Sequence, residues 1–352
     1  MKFNDDLINH IMNNIELGLK LKPGEIAVLN QGAKAIKLSE NNFKIINRKT
    51  FQPESLSEVN FIAIDGGNSS IIETNSFILD FIKIATVEVK NKKTRRANII
   101  SGFISATYLK SNNSENSFIK YKVIDHSGNL PKYAPQKLEL ESIKPSPNEL
   151  KDAINTIRKS IELNILKESC SKRNNTVILR DGSLISSDNS YEPELIQEIY
   201  SACKTNKNLF FGISKDSLIY TNYGNHLTSL MYNIAKQKRE LRHKEWFIKI
   251  GESSTEPRVD VFIALLNERA QISLRIDVFN GNTENLALLT YLSSYPAFLG
   301  YPYPLIVADK TARVSSEETR LIKQLIHRKV KNTNLKKLEN FFNPHKFLDT
   351  IR

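Results

Sequence analysis

Apolar side chains recur at helical spacing at Leu7, Ile8, Ile11, Ile15 and Leu19, which predicts an amphipathic helix over residues 3–20. Phe61-Ile62-Ala63-Ile64 is a short apolar run that stops at Asp65-Gly66-Gly67, the pattern of a buried strand delivering Asp65 at its carboxyl end. Ser69–Thr74 and Phe77–Val89 read as two further strands that form a meander with the first. Residues 90–146 are polar, rich in Lys, Asn and Ser, and weakly periodic. They are expected to leave the sheet as an inserted excursion, part β-hairpin and part loop.

The pattern changes at Ser146. Ser146 suits an N-cap, Pro147 the first helical position and Glu149 the first turn. Leu150, Ile154, Ile157, Ile161 and Ile165 then form the apolar stripe of a helix ending near Glu168. Thr176-Val177-Ile178-Leu179-Arg180-Asp181-Gly182-Ser183 is a second strand that closes on Asp-Gly. Helix 192–203, strand 209–213, helix 226–238, strands near 246–250, 258–266 and 270–279, and helix 283–294 follow. Ala312 to Val330 is expected to be helical and basic, with a tail over 331–352. Without an internal repeat or a low-complexity linker, the 352 residues read as one α/β domain carrying insertions.

Composition narrows the partners. Hydrophobic residues make up 40% and charged residues 25%, so a packed core is expected. Fifty Lys and Arg against 38 Asp and Glu leave a net charge of +12, which favours a polyanion, with nucleic acid ahead of an acidic membrane surface. Solvated helix lysines give the same total. Cys170 and Cys203 make neither a disulfide framework nor a C-x-x-C zinc pair, and read as thiols in a reducing compartment. The acidic start, Asp5-Asp6, does not suit a signal peptide, and Asp80 and Lys83 interrupt the most apolar stretch. A soluble cytoplasmic protein with no membrane partner is expected.

Two buried strands that each end in Asp-Gly are the strongest chemical signal. Asp65 and Asp181 on neighbouring strands can gather one or two divalent cations, although Asp-Gly also simply makes turns. Glu162 follows Arg158 by four residues, beside the apolar stripe, and is either a solvated helix carboxylate or a group aimed at the strand ends. Lys215 ends the strand Phe210-Phe211-Gly212-Ile213-Ser214 and suits a phosphate or a surface position equally. Arg275, inside an apolar strand, needs a carboxylate or a phosphate partner. In Gly300-Tyr301-Pro302-Tyr303-Pro304 the prolines suggest an extended approach, after which Asp309 opens the last helix, as a cap or as a metal ligand.

In their order, Ile64-Asp65-Gly66-Gly67, Arg158-x-x-x-Glu162, Leu179-Arg180-Asp181-Gly182-Ser183-Leu184, Gly212-Ile213-Ser214-Lys215 and Tyr301-Pro302-Tyr303-Pro304-Leu305 with Ala308-Asp309 resemble the NurA nuclease family over about residues 60–330. The resemblance implies an RNase H-like mixed sheet flanked by helices. It also implies a metal-dependent DNA nuclease using Mn²⁺ (or Mg²⁺), with two ions, in 5′-to-3′ exonuclease and single-strand endonuclease reactions. The family works as a homodimer with a hexameric HerA-type ATPase in DNA end resection. By position, Asp65, Glu162 and Asp181 match the metal-binding carboxylates, and Lys215 a basic residue near the scissile phosphate. Asp309 stands where many relatives carry His, and Gly67 where Ser is common. On this reading Arg275 helps to balance transition-state charge. The basic runs Lys90–Arg96 (Lys92, Lys93, Arg95, Arg96) and Lys236–Lys249 (Lys238, Arg239, Arg242) hold the DNA backbone, and Tyr301, Tyr303 and Trp246 stack on unpaired bases.

Two other classes compete. An actin-like phosphotransferase fits Asp-Gly-Gly-Asn-Ser but leaves Glu162 and the net charge without a role. A non-catalytic DNA-binding subunit of a translocase complex would have no need of four acidic residues at the candidate ligand positions.

Overall fold

In the computed structural model the three strands predicted around Asp65 are two, because 60–73 is one strand paired with 77–90. The structure describes residues 27–28, 33–50, 53–110, 117–125, 128–135, 141–142, 146–185, 192–215, 219–222, 224–254, 257–279 and 282–329. The predicted helix 3–20 and tail 331–352 lie outside the described residues. In chain order the strands are β1 (Ala27–Val28), β2 (Ala33–Ala35), β3 (Lys44–Ile45), β4 (Asn60–Glu73), β5 (Phe77–Lys90), β6 (Lys93–Lys110) and β7 (Ser117–Ile124). They continue with β8 (Glu141–Ser142), β9 (Thr176–Asp181), β10 (Leu209–Ser214), β11 (Tyr220–Thr221), β12 (Trp246–Ser253), β13 (Val259–Leu265) and β14 (Leu274–Phe279). The helices are α1 (Pro53–Glu58), α2 (Pro147–Lys172), α3 (Glu192–Thr205), α4 (Leu227–Gln237), α5 (Leu286–Leu292), α6 (Tyr303–Ala312) and α7 (Ser316–Lys329).

The chain divides into two units. The smaller takes Met1–Phe51, Gly182–Ser187 and Gly212–Tyr301, and the larger takes Gln52–Asp181, Asp188–Phe211 and Pro302–Arg352. In the larger unit the strand order is β10-β9-β4-β5-β6-β7-β8. β4 is antiparallel to β5 and parallel to β9, so this sheet is mixed. Phe61, Ile62, Ala63 and Ile64 are all buried, as a strand covered on both faces requires. One cover is α2, whose stripe Leu150, Ile154, Ile157 and Ile161 is fully buried and which packs on β4, β5 and β6. Its start is as predicted: the Ser146 side chain accepts from the Glu149 amide, with Pro147 in the first turn. The other cover is α6, also against β4 and β5.

Three expectations change. First, Asp65 does not end a strand, because β4 runs unbroken from Asn60 to Glu73. Gly66 and Gly67 serve close approach here. A Cβ on Gly66 would collide with the Glu162 carboxylate, and one on Gly67 would lie 2.5 Å from the Ala312 carbonyl oxygen. Successive strand residues face opposite sides, which is why one glycine meets α2 and the next meets α6. Gly182, by contrast, has φ of 114° and does end β9 at Asp181. Second, residues 93–110 stay in the sheet, pairing along β5 from Lys90↔Lys93 to Phe77↔Thr107. Their inward positions include Gly102 and Ala106, too small to give a hydrophobic rhythm in the sequence. Third, the chain past Tyr301 is helical from Tyr303 onward, with Pro302 as N-cap and Pro304 in the first turn. Asp309 therefore sits near the end of α6, and Ala312 closes this helix before α7 begins.

In the smaller unit the strand order is β2-β12-β13-β14, with β3 also on β12, and β1 pairs with β11. β13 and β14 are buried throughout. Trp246 is 1% exposed and meets Phe43 edge-on, 5.1 Å between ring centres, so it is a core residue and not a base-stacking platform.

Candidate active site

Four carboxylates converge in the larger unit, each placed by a different element. In the parallel ladder Ile64 pairs with Arg180, so Asp65 and Asp181 occupy neighbouring positions one step further along. Alternation puts Asp65 on the same face as Gly67, the face covered by α6, which carries Asp309. Glu162 comes from α2 on the other face and reaches in over Gly66. Arg158, one turn earlier, donates to the Gly66 carbonyl oxygen at 2.6 Å and pairs with Glu162, which ties α2 to β4 beside Asp65. The Gly66 amide donates to Asp65 Oδ1 at 2.8 Å.

This crowding sets the electrostatics. Burial, then the charges of Glu162 and Asp181, raise the Asp65 pKa to about 7, with a smaller push from Asp309 and an opposing pull from the Gly66 amide. Glu162 is also raised by burial, against the lowering influence of Arg158, Arg180 and Lys159. The cluster thus favours a proton, or another cation, at Asp65. Its donors are hard oxygens, the set that Mn²⁺ or Mg²⁺ accepts. Among the described residues no three Asp, Glu, His or Cys side chains stand in ready-made ion geometry. Glu162 is instead paired with Arg158.

A stability prediction follows for the metal-free protein. Folding holds a proton on Asp65 up to about pH 7, whereas the unfolded chain releases it near 3.8. Stability from this group is therefore fully present at low pH and falls as pH rises from about 4 to about 7. Asp65→Asn removes that dependence. In EDTA at pH 8 it is expected to stabilise the protein by roughly 2–4 kcal/mol, seen as a rise of several degrees in melting temperature. At pH 4 the two proteins should melt together.

A family model of the NurA domain matches residues 59–314. The chain belongs to the NurA family. Among solved structures, that of the NurA nuclease from Sulfolobus solfataricus aligns with a TM-score of 0.52 and 18% identity, covering 93% of this chain and 96% of that one. A second NurA crystal structure gives 0.48 and 10%, covering 85% and 93%. The catalytic domain of human Endonuclease V gives 0.40 and 8%, covering 92% and 99%. No curated protein matches the chain. The first of these likenesses shows the fold: the NurA-family chain has the RNase H-like mixed sheet flanked by helices.

The remaining candidates are dispersed. Lys215 and Tyr301 belong to the smaller unit of this NurA-family chain, where the Lys215 ammonium lies 4.7 Å above the Tyr301 ring. Tyr301 is 3% exposed and offers no open face to a base. Arg275 has a carboxylate partner: its Nε donates to Asp277 Oδ1 at 2.7 Å, and its Nη2 donates to Asp277 Oδ2 at 3.0 Å and to Ser183 Oγ at 2.8 Å. That buried pair makes Arg275 a positioning residue, which corrects its reading as a catalytic cation. Asp277 is the residue the sequence reading passed over. Lying two residues from Arg275 in an apolar strand, it shares a face with it, and that spacing was the available signal. Arg239 and Arg242 are exposed and Lys238 half-buried after α4, while Lys92, Lys93, Arg95 and Arg96 are exposed at the β5–β6 turn. No helix among the described residues is long and apolar enough to cross a membrane.

Proposed function

We propose that the chain is a metal-dependent DNA nuclease that hydrolyses phosphodiester bonds, acting as a 5′-to-3′ exonuclease and single-strand endonuclease. The observation that supports it best is Asp65, held near neutral pKa by burial and by the nearby Glu162 and Asp181 in a chain of the NurA family. Mn²⁺ or Mg²⁺ bound there, as two ions, would supply Lewis acidity to the phosphodiester and its attacking water. Asp65, Glu162 and Asp181 would hold them, with Asp309 as a fourth donor in place of the family's His. Asp65 must lose its proton to do so, and Glu162 must exchange Arg158 for the new partner, so Arg158 sets when the third carboxylate is available. Water's oxygen then bonds to phosphorus as the P–O3′ bond breaks, and the departing 3′ oxygen takes up a proton. Lys215 is the cation proposed to balance the developing charge. A homodimer, a HerA-type hexameric ATPase as partner, a role in DNA end processing and a cytoplasmic location complete the reading.

The test is cleavage of end-labelled single- and double-stranded DNA. Product is expected with Mn²⁺ and none in EDTA, and the label position gives the polarity. Binding without cutting, with a HerA-type ATPase also present, would leave the non-catalytic DNA-binding subunit. ATP turnover without DNA would favour the phosphotransferase.

A further inference from the structure

The larger unit has a cleft at the amino end of β4, five residues before Asp65. It measures about 270 Å³ and is lined by Asn60, Lys90, Arg95, Arg173, Asn174 and Thr176, with Glu88 at its side. Arg95 reaches it through an irregularity in the ladder. Val89 pairs with Thr94 and Glu88 with Arg96, which leaves Arg95 as the extra residue of a β-bulge, a device that re-aims a side chain. The turn beyond is a two-residue loop, Asn91-Lys92, with φ of 50° and 54°, the compact hairpin connection that fixes register.

The charge here is one-sided. Lys93, Arg95 and Arg96 are exposed, and the sequence has no Asp or Glu from Val89 to Lys110. Two carboxylates face the cleft cations from neighbouring elements: Glu58 pairs with Lys90 at 2.8 Å, and Glu88 pairs with Arg173. Arg95 also acts on Glu58 at longer range, so the two carboxylates are shared among Lys90, Arg95 and Arg173, and the exposed Lys93 and Arg96 add to a surplus of positive charge that a polyanionic backbone satisfies better than a small neutral ligand.

We propose that this cleft binds a backbone phosphate of the DNA substrate, with Arg95 as its principal donor and Arg173, Lys90 and Asn174 around it. The proposal rests on the nuclease reading and adds a distance to it. Asn60 lines the cleft and Asp65 lies in the carboxylate cluster, so β4 itself spans the interval: five residues at ~3.3 Å each, or about 17 Å. At ~3.4 Å per nucleotide of duplex, the bound phosphate lies about five nucleotides from the bond that is cut.

The test is anisotropy binding of a 20-base-pair duplex to the full chain in EDTA, over a range of salt. Arg95→Gln is expected to weaken binding by about threefold to tenfold at 0.1 M salt and to lower the salt slope by about one, whereas Arg95→Lys retains most of both. A single methylphosphonate moved along the strand should weaken native binding about five nucleotides from the cleavage position found with Mn²⁺, and have no further effect there on Arg95→Gln. Arg95→Gln with native affinity and salt slope overturns the cleft, as does a methylphosphonate effect equal in both proteins. The two readings separate cleanly: native protein that binds no DNA brings down the nuclease with the cleft, while native protein that binds and cuts beside an unaltered Arg95→Gln removes the cleft alone. Melting curves of the variants, which alter an exposed residue, should overlay the native curve.

Discussion

Asp65→Ala and Asp181→Ala are each expected to lower metal-dependent DNA cleavage by on the order of 10³-fold or more, with DNA binding in EDTA close to native. The two side chains stand on adjacent strands one step past the pair Ile64↔Arg180, so neither can replace the other without moving the backbone. They should nevertheless differ in rescue. Asp65→Asn keeps the size and the Gly66 hydrogen bond but loses the carboxylate whose negative charge burial, Glu162 and Asp181 already disfavour. Single-turnover rates at rising Mn²⁺ separate lost affinity from lost chemistry. Activity within a few fold of native in both Ala variants would remove these carboxylates from the reaction.

The second large effect is expected from Asp277→Ala. Asp277 is fully buried, accepts from both Arg275 Nε and Nη2, from Ser183 Oγ at 2.8 Å and from the Leu184 amide at 2.8 Å. Removing it leaves the Arg275 guanidinium, in a side chain 6% exposed, without its counter-charge, at a cost of about 3–5 kcal/mol. Thermal unfolding should register that loss directly. Replacing both partners, Arg275→Met with Asp277→Leu, should recover much of the stability, because no buried charge is left behind. It should not recover full cleavage. Ser183 and Leu184 follow directly on Asp181 and Gly182, and their turn is pinned through Asp277. A double variant with native stability and native activity would show that the network serves folding only.

Much of this fold was legible wherever apolar residues were large. Helix α2 was read with its cap because Leu150, Ile154, Ile157 and Ile161 keep one face and Ser146-Pro147 mark its start. β9, α3, β10 and α4 followed for the same reason. The reading failed where small residues carried the pattern. β6 looked like an excursion because Gly102 and Ala106 fill inward positions, and β4 seemed to stop at Asp65 because a glycine pair suggests a turn as readily as a close approach. Proline misled in the opposite direction: Pro302 and Pro304 begin α6 and do not extend the chain. At the site, the identities of Asp65, Glu162, Asp181 and Asp309 were visible as separate residues. Their gathering into one cluster was expected for Asp65 and Asp181 from the two Asp-Gly strand ends and for Glu162 and Asp309 only through the family resemblance; the parallel pairing that sets Asp65 beside Asp181 joins strands more than a hundred residues apart in sequence. Asp277 escaped because an ion pair inside a strand has no signature beyond its spacing.

The difference between the two Asp-Gly pairs has a consequence for anyone who redesigns this chain. Past Asp65 the strand stays in one register with β5 as far as Ser70↔Asp80, and pairing resumes after an irregularity at Ile72↔Leu79. One added residue there would shift every later pairing by a step, turning side chains to the wrong face along that whole stretch. Past Asp181 the strand has ended: the Gly182 amide makes a last bond, 2.9 Å to the Ile213 carbonyl oxygen, and its φ of 114° then turns the chain. Length can therefore vary on one side of the carboxylate pair and not on the other: a library of insertions should tolerate additions beyond Leu184 and reject them between Asp65 and Ser70.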